Sequence, residues 1–122
     1  MGNKLIKIAV VYFLIGISFG LYMSFTHVFD LATVHVHINL LGWLSLAIAG
    51  ILYTLYPHLA ESRTAKVHFW LHNLGLPIMM IGIALAILGF SPIFFLIATL
   101  GGVITVIGVF FFGYNILCNL DK

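Results

Sequence analysis

Charge is scarce in this chain: of 122 residues, five are Lys or Arg and three are Asp or Glu. A net charge of +2, scattered along the chain, is far short of the basic stripe that grips nucleic-acid phosphates. The three acids, Asp30, Glu61 and Asp121, all stand at the ends of apolar runs. Paired carboxylates for hydrolysis and buried ones for proton pumping are therefore missing. The single cysteine, Cys118, excludes an internal disulfide. With no CxxC or CxxCH there is neither a dithiol motif nor a covalent haem attachment. Gly-rich phosphate loops, a Ser/His/Asp set, internal repeats and low-complexity tracts are absent as well.

What remains is apolar. Hydrophobic residues make up 63% of the chain, more than a water-soluble domain of this size can bury. The chain reads as one integral membrane domain over residues 1–122. Lys4 and Lys7 precede an apolar run, as in a signal peptide. That run, Ile8 to Phe25, ends without a small-residue cleavage site and reads as a retained helix.

Charges and turn residues divide the sequence into four apolar spans, each near the ~20 residues that cross a bilayer. They run from Leu5 to Thr26, Leu31 to Tyr56, Lys66 to Gly89 and Ile93 to Leu117. Pro57 ends the second, His58 to Ala65 reads as a polar loop, and Ser91-Pro92 makes the last turn. The fold class expected is an all-α membrane protein with four transmembrane helices. All five basic residues, Lys4, Lys7, Arg63, Lys66 and Lys122, fall on one side. The positive-inside rule then places both termini and the middle loop in the cytoplasm.

Helical periodicity sorts the faces. Gly16, Gly20, Met23 and His27 share a stripe of the first span. In the second, His35 shares a face with Asn39, Gly42, Ala49 and Tyr53, and the face of His37 carries Leu41, Leu44, Ile48 and Leu55. In the third, His68, His72, Gly75, Met79, Gly82 and Ala86 line up. Small residues let helices approach closely in lipid, which explains most of the glycines.

Six histidines carry the chemical interest. His35 and His37 lie one residue apart inside an apolar run, where ionisable rings are costly and usually functional. Residues i and i+2 of an α-helix lie about 200° apart, so the two rings face opposite ways and serve different sites. His27 lies at the same outer level. His68 and His72, at i and i+4, have the spacing for a shared metal. Counting rise along the helices separates His37 from His72 by roughly 20 Å in depth. Within one chain they form separate constellations. His58, in the loop, reads as a surface residue.

The run His35-Val36-His37-Ile38-Asn39-Leu40-Leu41-Gly42-Trp43 carries a resemblance, continued by Gly50-Ile51-Leu52-Tyr53, Tyr56-Pro57, His68-Phe69-Trp70-Leu71 and Gly75. It resembles the tenth and eleventh helices of the haem–copper oxidase catalytic subunit. The bacterial high-affinity cytochrome c oxidases and nitric oxide reductases are the nearest branch. There the first histidine of the H-x-H pair binds the high-spin haem and the second the low-spin haem. The resemblance implies that His35 and His37 are axial ligands of non-covalent haem b; His27 (a ligand, a haem-edge contact or an interface residue), Asn39 and Gly42 are further candidates to contact the cofactor. His68 and His72 stand as a second metal site. This chain lacks the family's copper-binding His-His pair and the glutamates of its nitric oxide-reducing members.

The family subunit is a ring of three similar four-helix arcs, and this chain has the size of one arc. The resemblance therefore implies a homo-oligomer, a trimer, with haem between protomers held by His37 of one copy and His35 of the next. The expected function is electron transfer, or binding or reduction of a diatomic gas such as O2 or NO, by an oxidoreductase with an unidentified redox partner. Two alternatives stand beside it: a membrane protein handling copper or haem in transport or storage, and a non-catalytic assembly subunit.

Overall fold

The computed structural model describes residues 1–122 as helices joined by short turns, with no strand. The helices are α1 (Gly2–Thr26), α2 (Ala32–Leu55), a short α3 (Pro57–Glu61), α4 (Arg63–Ile87) and α5 (Ile93–Asn119). The four helices α1, α2, α4 and α5 are long and apolar enough to cross a membrane. Their outward faces carry Ile15, Leu21, Phe25, Leu44, Ile81, Phe95, Val103 and Phe110, all exposed. Such a belt is stable only against lipid or another protein.

The helices stand in the order α1, α2, α4, α5. α1 packs along α2, and α4 packs along α5. α2 meets α4 over a narrower seam, and α1 and α5 have no substantial contact. Burial follows this order: 39% of the apolar window is buried in α2 and in α4, against 17% in α1 and 22% in α5. One apolar cluster, around Leu5, Leu46, Tyr53 and Leu59, fills the end that carries the basic residues. A second, around Val34, Ile38, Leu76 and Met80, joins α2 to α4 further up.

Local chemistry sets the ends. His27 closes α1 in the left-handed conformation (φ 54°) and bonds its N–H to the Met23 carbonyl. Gly89 at φ +81° ends α4, a conformation that a side chain would strain. The segment expected as a polar loop is largely helical. Pro57 starts α3 with a preset φ, and the Ser62 hydroxyl accepts the Ala65 N–H at 3.0 Å, capping α4. The cap begins α4 at Arg63, three residues before the apolar run itself begins.

The sequence pattern does not announce the main irregularity. From Ile38 to Leu44 the α2 backbone opens into wide π turns, ending with the Ser45 N–H on the Leu40 carbonyl. Such a stretch amounts to one inserted residue, which turns everything after it by about 100°. A straight helix would put Tyr53 on the His35 face, against α1. Instead Gly50 and Thr54 face α1 at Gly2, and Tyr53 swings round to α4 and α5.

Candidate functional site

The two histidines of the H-x-H run face opposite ways. His35 lies in the α1–α2 seam, with its Nδ1 2.7 Å from the Gly16 carbonyl. A carbonyl only accepts, so Nδ1 carries the proton and donates. The Asn39 amide, 3.2 Å from that nitrogen, directs its hydrogen to the His35 carbonyl at 3.0 Å instead. The His35 ring lies against Gly20, where a Cβ would stand 3.0 Å from its Cε1. The Asn39 side chain occupies the space a Cβ would need at Gly16. The small stripe of α1 thus makes room for His35 and Asn39.

His37 turns to the other side. Its Nδ1 lies 2.8 Å from the Thr33 carbonyl and donates to it. The ring borders a cavity of about 280 Å³ lined also by Leu41, Met79, Gly102, Thr105 and Phe110, from α2, α4 and α5. The lining is apolar apart from His37 and Thr105, and the Thr105 hydroxyl is engaged by the Gly101 carbonyl at 2.8 Å. In both histidines Nδ1 carries a proton, which leaves Nε2 as the nitrogen able to offer a lone pair. Neither Nε2 bonds to any group of this chain. An Nδ1–H anchored on a carbonyl with a free Nε2 is the ligating form of imidazole.

The second constellation is a buried chain of hydrogen bonds. His68 and His72 are each 1% exposed and Tyr53 is 2% exposed. Tyr53 Oη lies 3.1 Å from His68 Nδ1, His68 Nε2 lies 3.1 Å from His72 Nδ1, and His72 Nε2 lies 2.9 Å from the Leu41 carbonyl. The carbonyl end fixes every proton in turn. His72 donates through Nε2 and accepts at Nδ1. His68 donates through Nε2 and accepts the Tyr53 hydroxyl at Nδ1. The facing nitrogens of the histidine pair therefore share a proton, and no three His, Cys, Asp or Glu side chains gather where one metal ion would reach them all.

Rise counting sets His37 far in depth from His72, yet the His72 ring reaches the Leu41 carbonyl, one turn from His37. The wide turns offer the reason: a return from π to α spacing leaves a carbonyl short of a helical N–H, open to a side-chain donor.

The other expected site residues lie apart. His27 is exposed at the end of α1 beside Phe29, bonded to neither His35 nor His37. Gly42 faces Tyr12, whose ring carbons would lie 2.5–2.8 Å from a Cβ there, so packing within the chain already accounts for this glycine. His58 donates to the Asn119 carbonyl at 3.0 Å. Sequence reasoning missed the carbonyls of Gly16, Thr33 and Leu41, which a residue pattern does not display. It also missed Thr105 and Gly102 as the far wall of the His37 cavity, though their i, i+3 spacing of small residues was a usable signal.

Fold and site together define a four-helix, membrane-type protein with two histidines back to back on one helix. No protein-family model, curated protein or solved structure matches the chain.

Proposed function

We propose that this chain is a haem b-binding membrane protein, similar to one module of the haem–copper oxidase catalytic subunit. It would serve electron transfer or the binding or reduction of a diatomic gas. The observation that carries this reading is the shared state of His35 and His37, each with Nδ1–H held by a carbonyl and Nε2 free. Two imidazoles prepared alike, on opposite faces of one helix, suit two different iron atoms. The donor set fits haem: two imidazole nitrogens, that of His37 beside an apolar cavity, with no carboxylate in the cavity lining. Haem held there would supply a one-electron centre, and a sixth position left open would take a gas ligand.

The chain's own residues anchor the rings, fix their tautomers and exclude water. Gly16 and Thr33 supply the anchoring carbonyls; Leu41, Met79 and Phe110 supply the dry wall. The His37 cavity is far smaller than a haem and bounded by exposed side chains such as Phe110 and Val106, so a second copy would complete it. A row of helices whose first and last members make no substantial contact leaves two open edges for copies of the chain to close. We therefore place the haem between protomers of a trimer, in the inner membrane of a bacterium or archaeon with both termini cytoplasmic.

The test is the absorption spectrum of the purified protein with its mass in detergent. A Soret band with sharp reduced α and β bands, lost in both His35→Ala and His37→Ala and kept in His58→Ala, is the expected result. A colourless protein, or full haem in His37→Ala, overturns the ligand assignment. Haem-loaded monomers overturn the trimer.

A further inference from the structure

The haem reading leaves a buried group of three polar side chains without a task. Tyr53, His68 and His72 form a one-way hydrogen-bond chain between two places on the same helix. It starts at Tyr53, below the wide turns of α2, and ends on the Leu41 carbonyl within them. A tightly packed apolar seam would join α2 to α4 without three buried polar side chains.

The geometry is self-consistent. The wide turns rotate Tyr53 from the α1 face toward α4, where its hydroxyl meets His68. His68 passes the direction of donation to His72, and His72 returns to satisfy the carbonyl in the wide turns. Each part requires the others: with regular α spacing Tyr53 would face α1, and without His72 the Leu41 carbonyl would lose its donor. The wide stretch begins at Ile38, the residue after His37, and Leu41 lines the His37 cavity. Whatever holds the Leu41 carbonyl therefore also holds the phase between the His37 ring and the lower half of α2.

We propose that His72, oriented by Tyr53 through His68, is a positioning residue that locks the wide turn of α2 and so fixes where His37 presents its Nε2. The link to a bound cofactor rests on the haem reading; the lock itself does not. The tests separate the two. His72→Gln keeps a side-chain N–H for the Leu41 carbonyl, and His72→Met keeps a similar volume without a donor.

The first readout needs no haem: ¹⁵N spectra of histidine-labelled protein in detergent. Wild type should show His35 and His37 protonated at Nδ1, and His68 and His72 at Nε2. His72→Met should shift the His37 signals, and His72→Gln should restore them. The second readout is haem affinity, which should fall about tenfold in His72→Met and recover in His72→Gln, the size of a lost outer-shell partner. If no variant binds haem while the ¹⁵N pattern follows the donor, the haem reading fails and the lock stands. If His72→Met leaves the His37 signals unmoved, or if Met and Gln act alike, the lock is wrong. Should His72→Met not fold, Tyr53→Phe removes a single oxygen and gives the same decision: His37 signals that stay put while those of His68 move overturn the proposal.

Discussion

Gly75→Ala is the substitution whose outcome the geometry decides most sharply. In a helix interior Ala is ordinarily favoured over Gly by about 1 kcal/mol. At Gly75 a Cβ would stand 2.6 Å from Thr105 Oγ1, 2.7 Å from Thr105 N and 2.8 Å from the Gly101 carbonyl oxygen. Two of these atoms belong to the α5 backbone and cannot swing aside. Reaching ordinary contact, 3.4–4 Å, means moving α4 and α5 apart by more than half an ångström along a tightly packed seam. Overpacking of this kind typically costs about 1–3 kcal/mol, which outweighs the propensity gain. Gly113 on α5 is the matched control, because nothing lies within 4 Å of its Cβ position. There only the propensity gain remains. Reversible unfolding in mixed micelles, followed by the fluorescence of Trp43 and Trp70, should rank Gly113→Ala at or above wild type. Gly75→Ala should fall below Gly113→Ala by about 2 kcal/mol or more. Equal stabilities for the two variants would refute the close approach of α4 and α5. Thr105 also lines the His37 cavity, so parting these helices should loosen any ligand held there.

Three further outcomes are expected. Asn115 is fully buried, gives its amide hydrogen to the Leu59 carbonyl at 3.0 Å and accepts the Asn119 amide at 3.0 Å; Asn115→Ala should lose about 1 kcal/mol in the same unfolding assay, because both bonds go while the Leu59 carbonyl keeps the Ser62 hydroxyl as a donor. Ser62→Ala removes the cap on Ala65 N–H and should cost about 1 kcal/mol, with faster amide exchange confined to the first turn of α4. Cys118 is exposed near the end of α5, at the basic end of the bundle; a membrane-impermeant maleimide should label it only after the cell membrane is opened, and labelling of intact cells would reverse the proposed orientation.

The sequence by itself determined the four spans, because crossing hydrocarbon requires long apolar runs and charge is tolerated only at their ends. It determined that His35 and His37 point apart, because two residues of α-helix turn the chain by about 200°. It also exposed the glycine stripes, since close approach in lipid selects small residues at helical spacing. The start of α4 at Arg63 was not read from the sequence, which set the span at Lys66 after a loop, although Ser62, three positions before the Ala65 amide it binds, is a residue type that favours a helix N-cap.

Only the tertiary structure decided the rest. The wide turn of α2 follows from no residue type in Ile38–Leu44; it exists beside a donor on another helix, His72, and it moves Tyr53 off the face that strict periodicity assigns. The roles of His68 and His72 changed with it, from two nitrogens open to a metal to links in a hydrogen-bond chain whose direction is set by the Leu41 carbonyl. The tautomers of His35 and His37 depend on backbone carbonyls at Gly16 and Thr33, and every residue carries a carbonyl. The physical reason is common to all three: side-chain patterns record which faces are apolar, whereas the state of a polar group depends on which backbone atoms the packing brings within 3 Å of it.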